Sequence, residues 1–112
     1  MQTVVELPEF IRRTPGLLSA SETLLLINYL AEFPQAGDLM QGTGGVRKLR
    51  WARDGKGKSG GVRVIYYFHS EQIPLYLLTI FAKNERANLS MAERNELAHL
   101  VKKLIEVSRR RK

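Results

Sequence analysis

An α+β fold is what this sequence predicts, and three observations carry the prediction. Two Ser-x-x-Glu boxes, Ser19-Ala20-Ser21-Glu22 and Ser90-Met91-Ala92-Glu93, each open a stretch of helical periodicity. Three strand-like runs lie between them, the alternating Val46–Arg53 and the apolar Val62–Phe68 and Leu75–Phe81, separated by short polar turns. Those turns are too short for crossover helices, so the runs are expected to pair as an antiparallel meander. Helices gathered at the two ends of the chain with strands between them give the α+β class.

In chain order, Thr3-Val4-Val5-Glu6 is β-prone and ended by Pro8, which predicts a first strand. Glu9 to Arg13 can form a short helical turn before Pro15-Gly16 breaks it. The first capping box opens a helix expected to bury Leu25, Leu26, Tyr29, Leu30 and Phe33, and Pro34 stops it. Residues 35–45 read as a glycine-rich loop. Val46 to Arg53 alternates, with Leu49 and Trp51 on one face and Lys48 and Arg50 on the other. Asp54 to Gly61 reads as a lysine-bearing turn. The next two runs are apolar on both faces, as strands at a sheet centre would be. The second capping box opens a last helix with Leu97, Leu100, Val101 and Leu104 on one side, and Arg109-Arg110-Arg111-Lys112 is expected to fray. This order (N-terminal strand and two helices, three-stranded antiparallel meander, C-terminal helix) fits one small domain over residues 1–112.

Composition narrows the function classes. The chain has no cysteine, so neither disulfides nor thiolate metal sites hold it, and a reducing cytoplasm is the expected compartment. No leader peptide is expected, and the longest apolar run, Leu24-Leu25-Leu26-Ile27, is far too short to span a membrane. Charge is unevenly placed. Residues 1–45 carry two basic and five acidic side chains, and residues 46–112 carry sixteen basic and six acidic ones, so balances of −3 and +10 sum to the net +7. A basic surface so concentrated fits a polyanion, either nucleic acid or an acidic protein.

The densest segment is Arg47 to Arg63, with seven basic residues and one acid in seventeen positions. Period-two spacing sets Lys48 and Arg50 side by side on one strand face, and a hairpin returns Arg63 beside them. Arg47, Arg53, Lys56 and Lys58 complete a cationic groove suited to a phosphate backbone. Such charges can also serve only to keep an exposed strand soluble. Of the aromatic residues, Tyr67 shares Arg63's face and is the candidate for stacking a base. Gly57-Lys58-Ser59 resembles the end of a nucleotide-binding P-loop. That motif needs a glycine where this chain has Ala52, and a helix where a strand follows, so it is rejected. The two histidines, His69 and His99, have no sequence reason to meet, and the acids show no metal-ligand spacing; neither a metal nor a cofactor is expected.

A larger pattern embraces these residues. The runs Gly37-Asp38, Gln41 to Arg50, Gly55 to Tyr67 and Tyr76 to Glu85 resemble the HigB-type branch of the RelE family of toxin ribonucleases. The resemblance implies the toxin of a type II toxin–antitoxin pair that cleaves mRNA in the ribosomal A site. It also implies contact with the small-subunit ribosomal RNA and a helix-turn-helix antitoxin as partner. It further implies metal-independent cleavage, in which a 2′-hydroxyl attacks the adjacent phosphate. By position, Lys48 and Arg50 match the family's basic pair, Arg63 its basic residue on the next strand, and Lys83 its short basic motif, with Arg86 following as an RNA contact. The chain departs from the better-known pattern at Asn84, where that pattern has arginine, and at Asn88-Leu89-Ser90, where it has a tyrosine. Preorganised Lys and Arg donors would stabilise the charge gained by a phosphate under attack. Two other readings use the same basic face: a non-catalytic RNA- or ribosome-binding protein, and a module that docks an acidic antitoxin.

Overall fold

The computed structural model describes residues 1–53, 57–86 and 88–110. Its elements are β1 (Val4–Glu6), α1 (Pro8–Arg13), a 3₁₀ turn (Thr14–Gly16), α2 (Ala20–Glu32), β2 (Asp38–Leu39), β3 (Val46–Arg53), β4 (Gly57–Tyr67), β5 (Leu75–Ala82) and α3 (Met91–Arg110). The five strands form one sheet in the order β1-β5-β4-β3-β2. β3, β4 and β5 are the expected antiparallel meander, while β1 joins β5 in parallel, which makes the sheet mixed. The α+β class read from the sequence is what forms.

Both capping boxes close as their sequences dictate. Ser19 Oγ accepts from Glu22 N–H at 3.1 Å while Ser19 N–H donates to Glu22 Oε1 at 2.8 Å. Ser90 and Glu93 repeat the arrangement at 3.1 and 2.9 Å. Each box satisfies two amide groups that a helix start would otherwise leave without partners.

The sheet buries both faces. Phe10, Leu18, Leu26 and Leu30 pack with Leu49, Val64 and Tyr66 under the N-terminal helices. Met40, Val46, Ile65, Tyr67, Leu78 and Phe81 pack under α3 through Leu97, Val101 and Leu104. This double cover is why the two central strands carry no polar alternation.

Three expectations are corrected. Only Leu26 and Leu30 of the five α2 residues are buried; Leu25 is 63% exposed, Phe33 50% and Tyr29 38%. The helix turns Leu26, Leu30 and Ala31 to the sheet; Leu25 and Tyr29 each precede a buried position by one residue, about 100° of turn, and Phe33 is the C-cap just beyond the last turn. The segment 35–45 contains a strand, β2, pairing Asp38 with Lys48 and Leu39 with Arg47. Two residues are too few to show a period. Gly42, Gly44 and Gly45 then turn the chain at positive φ, and Thr43 Oγ1 ties the turn by donating to Met40 O and accepting from Val46 N–H. Finally, β4 begins at Gly57 rather than Val62, with Arg53 opposite Gly57 after a register shift past Trp51. Cross-strand pairing, not side-chain pattern, makes the glycine-rich segment a strand. The basic tail is helical through Arg110, while Arg111 and Lys112 lie outside the described residues.

Candidate nucleic-acid site

Register decides which cations meet. Arg50 lies directly opposite Arg63 and Lys48 opposite Ile65, so Lys48, Arg50 and Arg63 share the α3 side of the sheet. Phe81 of β5 lies opposite Arg63 on its other flank. Just beyond β5 the chain turns, and Lys83 N–H donates to Gly61 O at 3.0 Å, fixing that turn against β4. Arg50, Arg63 and Lys83 thereby line one open cavity of about 350 Å³, together with Trp51, Ala52 and Gly61. The register shift between Trp51 and Arg53 sits at this cavity, where a bulge re-aims side chains.

Arg63 is the electrostatic centre. It is only 8% exposed, and its one hydrogen bond among the described residues is a long 3.3 Å donation to Val62 O. Among the described residues it has no acidic partner. Burial, and then the neighbouring Arg50 charge, pulls its pKa below the ordinary guanidinium value. Each effect disfavours the cation, and each is relieved when an anion enters the cavity. Buried charges are ordinarily paired. A buried arginine beside two more cations on a cavity wall is arranged for a partner with negative charge.

The remaining site residues separate into groups. Lys48 is half-buried on the same face as Arg50, one pleat repeat away, but does not line the cavity. Arg47 stands on the opposite face, where its Nη1 donates to Gly37 O at 2.7 Å and Gln35 O at 3.3 Å; its guanidinium anchors the loop before β2 instead of extending the groove. Tyr67 shares Arg63's face but is 2% exposed and packed beneath α3, so its ring has no free face for a base. Arg86 pairs with Glu93 at 2.5 Å and lies 4.7 Å above the Phe81 ring, tying the start of α3 to the sheet. It is a fastening within the fold, not a free groove cation. Lys56 and the side chains of Arg53 and Lys58 lie outside the described residues. His69 and His99 are both exposed and neither lines the cavity. Among the described residues no three of His, Cys, Asp and Glu are grouped as metal ligands, and no helix is long and apolar enough to cross a membrane.

Two contributors escaped the sequence. Trp51 keeps Leu49's face, with its ring against Tyr29 of α2, and as the last residue before the register shift it also borders the cavity. Tyr66 organises the loop behind β3: its hydroxyl donates to Pro34 O at 2.9 Å and accepts from Gly37 N–H at 2.8 Å. Gly37 is required there, since a Cβ would stand 2.8 Å from the Tyr66 ring.

The cation-lined cavity, the meander that carries it and the helix across the sheet all fall within one matched region. A protein-family model described as the RelE toxin of the RelE/RelB toxin–antitoxin system matches residues 35–111, more than half of the chain. The chain therefore belongs to the RelE toxin family, the toxin half of a toxin–antitoxin pair, whose members are generally endoribonucleases and have an antitoxin as partner.

Proposed function

We propose that this toxin is a ribosome-dependent endoribonuclease of the HigB-like branch, which cleaves mRNA in the ribosomal A site without a metal and is neutralised by a helix-turn-helix antitoxin. The observation that carries this reading is the convergence of Arg50, Lys83 and the buried, acid-free Arg63 on one cavity. The HigB-type sequence pattern over 37–85 supports the branch and the A-site substrate.

In the proposed reaction the scissile phosphate occupies the cavity, with Arg63 and Arg50 on its non-bridging oxygens. The 2′-oxygen forms a bond to phosphorus as the hydroxyl proton passes to Lys48 on the α3 side. The bond to the 5′-oxygen breaks, and Lys83 at the cavity lip protonates that leaving oxygen. The products are a 2′,3′-cyclic phosphate and a 5′-hydroxyl. Charge on the phosphoryl oxygens is greatest midway, so fixed arginine donors favour the transition state over bound substrate. Proton transfers of this kind contribute about 10²–10⁴ in rate. That is modest, and the ribosome would supply the remaining positioning.

The decisive experiment is cleavage of mRNA on programmed ribosomes with and without the protein. Site-specific cleavage that is lost in folded Arg63→Ala supports the reading. Absence of cleavage by the parent protein rejects it. A non-catalytic RNA- or ribosome-binding role is favoured by Asn84, exposed in the turn where the family's better-known pattern carries arginine, and it would give ribosome binding without turnover.

A further inference from the structure

We infer that Arg13 and Glu85 are positioning residues for cleavage: their ion pair straps the turn after β5 to α1 and so holds Lys83 at the cavity. The inference rests on the reaction proposed above, in which Lys83 protonates the leaving 5′-oxygen. It adds two residues that touch neither the substrate nor the reacting atoms.

Where Lys83 stands creates the need for a strap. It lies just past the last residue of β5, on an exposed turn. Among the described residues, no ion pair holds its side chain. A flexible four-carbon stem delivers a proton to a fixed atom only if the backbone beneath it is fixed. Three sets of bonds fix it. Lys83 N–H donates to Gly61 O at 3.0 Å, which ties the turn to β4. Glu85 N–H donates to Ala82 O at 3.0 Å, and Ala82 N–H donates to Glu85 Oε1 at 3.3 Å, which closes the turn on itself. The other carboxylate oxygen, Oε2, accepts from Arg13 Nη2 at 2.6 Å, across 72 positions of the chain.

Arg13 is a firm anchor. It ends α1, a helix that packs on β5 and whose Phe10 is fully buried in the core. Thr14 Oγ1 donates to Phe10 O and secures the helix end beside it. The Arg13 hydrogen bond, and then the Ala82 amide, keeps the Glu85 carboxyl below the usual carboxylate range, so both partners are charged at neutrality. The two side chains are partly exposed, at 27% and 47%, and pairs so placed contribute modestly to stability. Chemistry is more demanding, because a reacting group displaced by about 1 Å can lose about a hundredfold in rate. Loss of the strap should therefore register in the cleavage step far more than in the fold.

The test is single-turnover cleavage on programmed ribosomes at saturating protein, with two mRNAs. One carries the natural 5′-oxygen at the scissile bond, and the other a 5′-bridging sulfur. A thiolate leaves without being protonated, so the sulfur substrate has no use for a general acid. Arg13→Ala and Glu85→Gln should each slow cleavage of the oxygen substrate by roughly 10- to 100-fold while cleaving the sulfur substrate near the parent rate. The double variant should be no slower than the slower single one, as for residues that act as a unit. Arg13→Lys keeps a cation for the carboxylate and should recover part of the loss. Arg12→Ala, whose guanidinium pairs only with Glu9 of α1 among the described residues, should cleave like the parent. Far-ultraviolet circular dichroism verifies folding, and if Arg13→Ala does not fold, Glu85→Gln carries the same test. Parent-like rates on the oxygen substrate in the folded variants overturn the inference and leave the RNA reading standing. Equal slowing on both substrates also overturns it, because the pair would then support the whole site and not Lys83. Absence of cleavage by the parent on either substrate overturns the reaction itself.

Discussion

Arg47 and Arg63 are one residue type on neighbouring strands with opposite employment. Arg47 gives its hydrogen bonds to Gln35 and Gly37 carbonyls, whereas Arg63 is buried with one long bond to its own neighbour. Arg47→Ala should therefore act on stability, lowering it by about 1–3 kcal/mol in urea titrations, as for lost hydrogen bonds from a charged donor. Arg63→Ala should act on chemistry, abolishing ribosome-dependent cleavage in a folded protein. Cleavage near the parent rate would refute the assignment. Acid stability is set by two other side chains. Arg13 donates to Glu85 at 2.6 Å, and the Ser90 amide followed by Arg86 holds Glu93; both carboxyls are kept below the usual carboxylate range. A depressed folded pKa means that the stabilisation is complete above the unfolded value of about 4.3 and is lost as pH falls through the lowered one. Glu85→Gln and Glu93→Gln should each flatten the fall in urea midpoint below about pH 4 while lowering stability at neutrality. An unchanged acid limb in both variants would count against that account.

At the level of elements, the sequence was most legible where a local rule acts alone. Ser19 and Ser90 announce their helices through residues three apart, and the structure closes both boxes. Ser19→Ala should accordingly cost about 1 kcal/mol of stability. Lys48, Arg50 and Arg63 could be set on one face because strand alternation is strict until Trp51. Up to that residue Trp51 keeps Leu49's face, against the N-terminal helices; past it the register shifts and the rule no longer applies. β2 and the early start of β4 were illegible because partner strands create them, and α2 was misjudged because periodicity finds an apolar stripe without fixing its width. Charge or a ring alone points Arg47, Tyr67 and Arg86 towards RNA; in the structure Arg47 bonds the loop before β2, Tyr67 is buried and Arg86 pairs with Glu93, contacts that no local pattern announces. Long-range partners also explain Tyr66, whose role depends on Gly37 and Pro34 far away in the chain. Tyr66→Phe should leave Gly37 N–H without its acceptor and cost about 1–3 kcal/mol by thermal or urea unfolding, with the near-ultraviolet spectrum reporting the loosened loop.

For the molecule as a whole, the buried Arg63 and its cationic neighbours give the empty protein an internal repulsion that an anion removes. Occupancy and folding are then coupled: a ligand at a hundred times its dissociation constant adds about 2.7 kcal/mol to stability. The melting temperature should be higher in phosphate than in chloride of the same ionic strength, and higher still with a non-cleavable RNA. Arg63→Met exchanges the buried charge for apolar packing and should melt above the parent while losing the phosphate response. A parent indifferent to phosphate would show that the repulsion is already relieved from within. A toxin built this way is at its least stable when nothing fills its cavity, so the strand it cuts, or an acidic segment covering the same cations, would also act as a folding partner and prolong its survival against proteases.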